Sequence, residues 1–453
     1  MNSIEKIKIT RLHDYKDITM QFKDNRLIIV GENGSGKTTI LRIIYYFLST
    51  QWLQLLKYNF EKICITFSSE VIEIKKDDIL SRIDIENRNI IRKLPPPLRY
   101  RYKDIVAEDY PWDLRINKFT ELLARYDIPL ESLFEEELHS LSSENKFNPM
   151  NRLKKLLDNC NILYLPTYRR IEKELAEIIN VKEERDFDFD DDFFEKDHRC
   201  LELVEFGMKD VHRSIIHTLR NLKDSARETL NKLTLGYLDD IVGETYRDAN
   251  FNKIHEVTDS EVEAILSRIG EEILTKKNKQ KLLLSIQAAK KCETKEDIEK
   301  LSENDKVICH YFAKLLSFQR DLEEKEKRIR SFCNVCNQYM YDKRFDYFSS
   351  SFEFFIELTA QPGITIRLED LSSGEKQIVS LFSHLYLSPQ TNYFVMIDEP
   401  ELSLSVPWQR KFLVDICRGD FCQGLIAVTH SPFIYDNDLV QYVHGLGEFT
   451  KLR

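Results

Sequence analysis

The chain has 453 residues, of which 42% are hydrophobic, so it is long enough for more than one domain and for substantial cores. Its 66 basic and 76 acidic residues give a formal net charge of −10, which disfavours broad attraction to nucleic acid but leaves a local basic patch open. No apolar run approaches the roughly 20 residues that span a membrane, and the N-terminal residues lack a signal-peptide core, so we expect a cytoplasmic protein without a membrane partner.

Alternating strands are predicted over residues 3 to 30, and they end in a short apolar run from Leu27 to Val30. Runs of β-branched apolar residues are typical of strands that are buried on both faces. The next eight residues, Gly31 to Thr38, match G-x-x-x-x-G-K-[ST], and an amphipathic helical run follows. This order of strand, loop and helix predicts a phosphate-binding loop rather than a chance glycine-rich turn.

The loop has the chemistry that ATP requires. Glycines let the backbone curl round a phosphate, and the following helix directs its positive end at the same anion. Lys37 would reach the β- and γ-phosphates, and the Thr38 hydroxyl would ligate Mg²⁺. We therefore expect ATP and Mg²⁺ as ligands, held by Asn33, Gly34, Ser35, Gly36, Lys37, Thr38 and Thr39.

The middle of the chain changes from strands to helices. Alternation predicts strands at Ile63 to Phe67 and at Val71 to Ile74, and an apolar run predicts a buried strand from Ile162 to Leu165. Helical patterns are predicted over 115–158 and, more densely, over 200–345. We interpret the second region as a compact helical arm, because its heptads do not persist long enough for a coiled coil.

Two segments of this region have two interpretations each. The acidic stretch with interleaved phenylalanines at 183–197 is typical of a solvated loop, and it could instead dock a basic partner. Cys333 and Cys336 form an isolated C-x-x-C, for which ordinary helix packing is favoured over zinc or redox chemistry. The nine cysteines have no disulfide framework, which fits a reducing compartment.

A second candidate motif lies far downstream of the loop. The apolar run from Phe394 to Ile397 predicts a strand that ends in Asp398 and Glu399. Beside a phosphate loop, Asp398 would ligate Mg²⁺ directly or through water, and Glu399 could polarise the attacking water. An apolar run followed by Asp-Glu is weak evidence alone, but the phosphate loop makes it strong.

A third candidate motif precedes that strand. Residues Leu371 to Glu375 open an amphipathic helix that Ser372 or Ser373 could cap. The first free N–H groups of this helix would face outward and attract an anion. We expect Ser372, Ser373 and Gly374 to contribute to nucleotide binding rather than only to start a helix.

These motifs together resemble the ABC-type ATPase heads of the SMC, RecF and OLD-like group. GENGSGKTT resembles the Walker A motif, LSSGE the signature and FVMIDEPELSLS the Walker B motif with its D-loop, and IAVTHSP carries the switch histidine, His430. The resemblance implies an α/β P-loop ATPase head split by a helical insertion. In such a head Glu399 would be the general base, and His430 would contact the γ-phosphate and orient the water.

The resemblance also implies a homo-oligomer of at least two copies. Two heads would close face to face, with ATP between the Walker A motif of one copy and the signature helix of the other. The expected domains are an N-terminal head lobe at 1–170, a helical arm at 171–345 and a C-terminal head lobe at 346–453.

The sequence departs from the family pattern at the Q-loop. No glutamine occurs between Gln54 and Gln280, so the usual glutamine ligand of Mg²⁺ is absent from its expected place. The run YLPTYRRIE occupies that position, and a residue between Thr167 and Arg170 could take over part of the role or form a salt bridge instead.

The signature and the D-loop depart as well. Ser373 and Glu375 stand where transporter-type signatures have glycine and glutamine, and Ser403 and Ser405 stand where transporters have alanine and aspartate. These differences favour slow, regulatory hydrolysis over fast, tightly coupled turnover.

Three runs resemble the ATPase subunits of two-gene phage-defence systems, those of PARIS (AriA) more closely than those of Septu (PtuA). They are YLPTYRRIE, VEFGMKDV and DEPELSLSVPWQ. The resemblance implies an ATP-dependent oligomer that holds a nuclease or toxin effector and acts on it when a phage-encoded trigger is sensed.

Other functions stay open. A RecF- or SMC-like DNA-binding repair ATPase would need a basic saddle, which the acidic balance disfavours without excluding DNA. An OLD-type nuclease acting alone would need a Toprim domain after the head, and too few residues follow His430 to form one. A transporter subunit does not usually carry so long a helical insertion.

Overall fold

The structure is a computed structural model that describes most of the chain. The described ranges are 3–80, 94–107, 149–157, 160–166, 200–202, 208–248, 275–292, 301–389 and 392–453, with a few residues between them. The chain divides into two compact units, Met1–Glu205 with Gln390–Arg453, and Phe206–Pro389. The boundaries expected at 170 and 345 stay a prediction.

The first unit contains two sheets. One has six parallel strands in the order β13-β3-β12-β11-β6-β7, and the other has five antiparallel strands in the order β14-β2-β1-β4-β5. The strands are β1 Ile4–Leu12, β2 Lys16–Gln21, β3 Arg26–Val30, β4 Lys62–Phe67, β5 Val71–Lys75, β6 Asn161–Leu165, β7 Cys200–Glu202, β11 Tyr393–Asp398, β12 Cys422–Thr429, β13 Val443–Gly445 and β14 Thr450–Leu452.

Helices of the first unit complete its core. They are α1 Lys37–Leu48, α2 Trp52–Leu55, α3 Lys76–Leu80, α4 Pro96–Ala107, α5 Pro149–Leu156, α10 Val406–Arg418 and α11 Leu446–Phe449. Residues of α1, such as Ile40 and Phe47, are buried in one hydrophobic cluster with side chains from both sheets. All six residues of β11 are buried, as its uninterrupted apolar run predicts.

The parallel sheet sets the place of the site. β3 and β11 flank β12, and all three run in the same direction. Their carboxyl ends therefore meet at one edge of the sheet, where the phosphate loop leaves β3 and the acidic pair ends β11. The strands predicted at Leu27–Val30, Ile162–Leu165 and Phe394–Ile397 are confirmed.

The second unit is largely helical. Its elements are α6 Met208–Val242, α7 Lys276–Lys290, α8 Glu303–Asn337, β8 Lys343–Phe348, β9 Glu353–Leu358, β10 Gln361–Ile366 and α9 Ser373–Leu387. The three strands form an antiparallel sheet, and the helix-rich prediction is confirmed for the described part of 200–345. The signature residues open α9 and therefore belong to this unit.

Asp240 joins the two long helices of this unit. Its carboxylate, on α6, accepts hydrogen bonds from Lys314 and from His310 Nε2 (3.0 Å), both on α8. The bond from Lys314 is the main reason that the pKa of Asp240 is lowered to about 2. The ion pair therefore joins the C-terminal end of α6 to α8.

The C-x-x-C pair lies within α8. Cys333 and Cys336 are both buried, and burial raises the pKa of Cys333 to about 12. A thiol with so high a pKa is a poor nucleophile, which agrees with ordinary helix packing.

In the described part of the chain, no group of three or more His, Cys, Asp or Glu side chains is arranged to hold a metal ion. No helix of the described residues is long and apolar enough to cross a membrane.

Candidate functional site: a phosphate loop facing an acidic strand end

The phosphate loop is open towards solvent. Gly34 and Gly36 have φ values of 78° and 97°, in the left-handed region that side chains rarely adopt. A Cβ atom built on either glycine would meet no described heavy atom within 4 Å. The loop therefore leaves room beside its backbone where a phosphate can approach.

The start of α1 has the properties of an anion-binding helix end. Gly36 is its N-cap, and among the described residues no side chain caps it and its first turn contains no acidic residue. The Ser35 hydroxyl is buried and has no hydrogen-bond partner among the described residues. A bound phosphate would satisfy these orphaned donors, so the residues present fit a nucleotide triphosphate.

Lys37 is folded back onto the loop. It is only 4% exposed, and its Nζ donates to the carbonyl oxygens of Gly31 and Glu32, both at 2.8 Å. Burial lowers the pKa of Lys37, against the opposing effect of the nearby carboxylates, of which Glu399 is the strongest. The ammonium group therefore lies at the loop, held by carbonyls that a phosphate could replace.

The two candidate Mg²⁺ ligands are in contact. Asp398, at the end of β11, is completely buried, and Thr38 Oγ1 donates to its Oδ1 at 3.2 Å. A hydroxyl and a carboxylate are the oxygen ligands that Mg²⁺ takes from such loops. Thr38 and Asp398 are therefore the residues that would hold Mg²⁺, which would neutralise phosphate charge there.

Glu399 follows in a strained conformation. Its φ is 53°, in the left-handed region that side chains rarely adopt, and its N–H donates to Val428 O at 2.9 Å. Burial is the main cause that raises its pKa to about 7, and Glu401 and Asp398 raise it further. A carboxyl group with this pKa can exchange protons near neutral pH, as a general base must.

His430 connects three of the predicted motifs. Its Nε2 is 2.7 Å from Glu399 Oε1, and its Nδ1 is 3.0 Å from the carbonyl oxygen of Gly31. A carbonyl only accepts, so Nδ1 carries a proton and cannot accept one from Lys37 Nζ, which lies 3.4 Å away. The Nε2 atom lies within hydrogen-bond distance of the Glu399 carboxyl group.

Sequence reasoning missed Glu401. Its Oε1 accepts from the N–H groups of His430 (2.8 Å) and Ser431 (3.0 Å), and its Oε2 accepts from Thr429 Oγ1 (2.7 Å). The only signal in the sequence was a second glutamate two residues after Glu399. That signal gave no indication of partners so far along the chain.

The signature residues form a capped helix start. Ser372 is the N-cap of α9, its Oγ accepts from Glu375 N, and Glu375 Oε2 accepts from Ser372 N at 2.7 Å. Glu375 Oε1 also accepts from Lys343 Nζ at 3.0 Å. Burial would raise the pKa of Glu375, but these bonds hold it below its usual range. Ser373 and Gly374 are the first two residues of the helix, so the cap is Ser372.

The structure thus brings together one half of the predicted site within the first unit. The phosphate loop from Asn33 to Thr39, Asp398, Glu399 and His430 all lie there, whereas Ser372, Ser373 and Gly374 lie in the second unit. The proposed Q-loop substitutes, Thr167 to Arg170, and the acidic segment 183–197 lie outside the described residues.

Comparison with known proteins agrees with this geometry. A family model described as an AAA ATPase domain matches residues 3–435. The search of curated proteins found no match.

Solved structures of Smc heads are similar to the chain at low identity. An Smc head domain from Pyrococcus furiosus, bound to the C-terminal domain of ScpA, is 13% identical, with 100% of this chain and 96% of that chain covered and a TM-score of 0.36. An Smc head domain from Pyrococcus yayanosii is 15% identical, with 98% and 95% covered and a TM-score of 0.31. The SMC head domain from Thermotoga maritima is 20% identical over 28% of this chain and 45% of that chain, with a TM-score of 0.20.

The predicted fold class is confirmed as an α/β P-loop ATPase fold with a helical insertion. Its parts are the parallel sheet with the phosphate loop after β3, the acidic pair after β11, and the helices between them. The family assignment rests on the family model, which matches nearly the whole chain. The chain belongs to the AAA ATPase domain family.

Proposed function

We propose that this chain binds and slowly hydrolyses ATP as the regulatory sensor subunit of an anti-phage defence complex. The observation that carries the ATPase part is the meeting of Lys37, Asp398, Glu399 and His430 at one sheet edge. The defence part is supported by the sequence runs that resemble PARIS- and Septu-type subunits. The trigger would be a phage product, and the controlled partner a nuclease or toxin.

Each residue has a task in this proposal. The backbone N–H groups from Asn33 to Thr39 and the ammonium of Lys37 hold the phosphates, while Thr38 and Asp398 hold Mg²⁺. The bound metal would neutralise phosphate charge. Glu399 accepts a proton from the attacking water, and His430 holds the carboxyl group of Glu399 in place.

In this proposal, the signature residues of a second copy complete the nucleotide site of the first. Ser372 and the N-terminus of α9 offer donors and positive dipole charge to an anion. We infer an oligomer of at least two copies. The lobes at 1–170 and 346–453 would then form the head, and the arm at 171–345 would hold the effector.

The nucleotide half of the proposal is tested with two variants. Lys37→Ala should lose ATP binding, because the phosphate charge loses its partner, as measured by equilibrium binding of a fluorescent ATP analogue. Glu399→Gln should bind ATP with near wild-type affinity but turn over at least about 100-fold more slowly, because the general base is gone. Normal affinity in the first variant, or unchanged turnover in the second, would contradict the assignment.

The partner is identified by purification. Tagged Glu399→Gln protein, expressed with its neighbouring genes and kept in ATP, should retain a stoichiometric nuclease or toxin protein. The Lys37→Ala variant is the matched control and should retain little of it. Recovery of DNA alone, lost on raising the salt concentration, would instead favour the RecF- or SMC-like repair ATPase.

A further inference from the structure

Glu401 ties together two loops that are distant in the sequence. It lies in the segment between β11 and α10, whereas Thr429, His430 and Ser431 follow one another at the end of β12. Both of its carboxylate oxygens are used, one by the two backbone N–H groups and the other by the Thr429 hydroxyl. Bonds to an ionised acceptor are about twice as strong as those between neutral groups.

The same loop is held from its other side. Ser431 Oγ donates to Gln409 Oε1 at 2.6 Å, and Gln409 Nε2 donates to Leu404 O at 2.9 Å. Ser431 N also lies 3.0 Å from the hydroxyl of Thr429, a residue that is completely buried. The peptide that carries His430 is therefore fixed before and after the histidine.

The fixed peptide determines where the imidazole points. With its backbone N–H held by Glu401, the ring of His430 places Nε2 against Glu399 and Nδ1 against the carbonyl of Gly31. The ring itself is one-third exposed, so burial does not hold it in this orientation. The backbone bonds to Glu401 instead fix the peptide from which the ring projects.

We propose that Glu401 is a positioning residue, which acts through His430 by clamping residues 429–431 so that the imidazole faces both Glu399 and the phosphate loop. The proposal rests on the proposed ATPase function, and it adds a residue to that site. Glu401 makes its bonds to the protein rather than to substrate, so its loss should slow turnover and leave ATP binding nearly unchanged.

A double-mutant cycle tests this role. Glu401→Ala should lower kcat by about 10- to 100-fold, the cost of a small misplacement, with KM within about threefold of the wild type. Glu401 also raises the pKa of Glu399, so the cycle is measured at about pH 8.5, where that carboxyl group is ionised with or without Glu401. His430→Ala should lower kcat as well, and the double variant should then be no slower than His430→Ala alone, because Glu401 acts through the histidine. Multiplying losses in the double variant, or a collapse of ATP affinity in Glu401→Ala, would overturn the proposal.

Glu401→Gln provides the conservative rescue. Its amide oxygen can still accept from both backbone N–H groups, and its amide N–H can donate to the Thr429 hydroxyl. We expect its kcat to lie within about tenfold of the wild type, well above that of Glu401→Ala. A Glu401→Gln variant as slow as Glu401→Ala would contradict a role based on hydrogen bonding.

Amide hydrogen exchange separates this proposal from the ATPase assignment. Glu401→Ala should raise the exchange rate of a peptide covering 429–431, whether or not the wild type hydrolyses ATP. Asp17→Ala is the matched control, since Asp17 also accepts a backbone bond, from Arg11 N, and pairs with Arg453 on the antiparallel sheet. It should change neither exchange at 429–431 nor kcat. Unchanged exchange in Glu401→Ala would show that no clamp exists.

Discussion

At the scale of single residues, the acidic end of β11 concentrates charge that water would normally screen. Asp398, Glu399 and Glu401 lie within four positions of the chain, and Lys37 is the cation beside them. The consequence falls on Glu399, because its burial and then the neighbouring carboxylates raise its pKa to about 7. Glu399 can therefore gain or lose a proton near neutral pH.

The raised pKa of Glu399 predicts a pH-dependent stability. Its value is about 7 in the folded protein against 4.5 ordinarily, so between these values the folded state holds a proton that the unfolded state has released. The proton bound to Glu399 therefore stabilises the folded state. This contribution to the free energy of unfolding is fully present below pH 4.5 and is lost as the pH rises through 7. Glutamine imitates the neutral acid and does not titrate.

Nucleotide-free wild type and Glu399→Gln should therefore differ in melting temperature in a pH-dependent way. From pH 5 to pH 8 the melting temperature of the wild type should fall relative to that of Glu399→Gln, measured by differential scanning fluorimetry. A constant difference over this range would show that Glu399 is already ionised at pH 5.

At the scale of elements, the signature helix starts with a reciprocal cap rather than a lone serine. Ser372 and Glu375 satisfy each other's backbone N–H groups, and Lys343 from β8 holds the second oxygen of Glu375. The glutamate that departs from the transporter signature thus has a structural task. Glutamine could form the cap but could not form the ion pair with Lys343.

Removal of this cap should loosen the start of α9. Glu375→Ala should destabilise the protein by about 1 kcal/mol, because the bond from Ser372 N and the ion pair with Lys343 are lost, and it should lower ATPase activity if the helix start binds nucleotide. Chemical denaturation and steady-state turnover would measure the two effects. Glu369→Ala, at an exposed glutamate, is the control and should change neither; equal effects in both variants would argue against a specific cap.

Elements with strong local patterns could be predicted from the sequence, and contacts between distant loops could not. β3, α1 and β11 were predicted because apolar runs border glycine-rich or acidic residues. The contact of Thr38 with Asp398 followed from placing two strand ends at one sheet edge. The clamp by Glu401 could not be predicted, because its partners are three consecutive residues on another loop and depend on backbone geometry.

At the scale of the whole molecule, the predicted nucleotide-binding residues are divided between two compact units. The phosphate loop, Asp398 and His430 lie in one unit, and Ser372 opens a helix in the other. If ATP is held between copies, the signature helix of one copy meets the loop of the next. Assembly of the copies would then depend on bound ATP, as the proposed control of a partner protein requires.

Mixing two inactive variants tests this central claim most directly. Lys37→Ala keeps an intact signature helix, and Ser372→Arg keeps an intact phosphate loop and acidic pair, so a mixed oligomer contains one complete site. The account predicts that ATPase activity, absent in each variant alone, returns in part when the two are mixed. No recovery in oligomers that carry both affinity tags would contradict a site shared between copies.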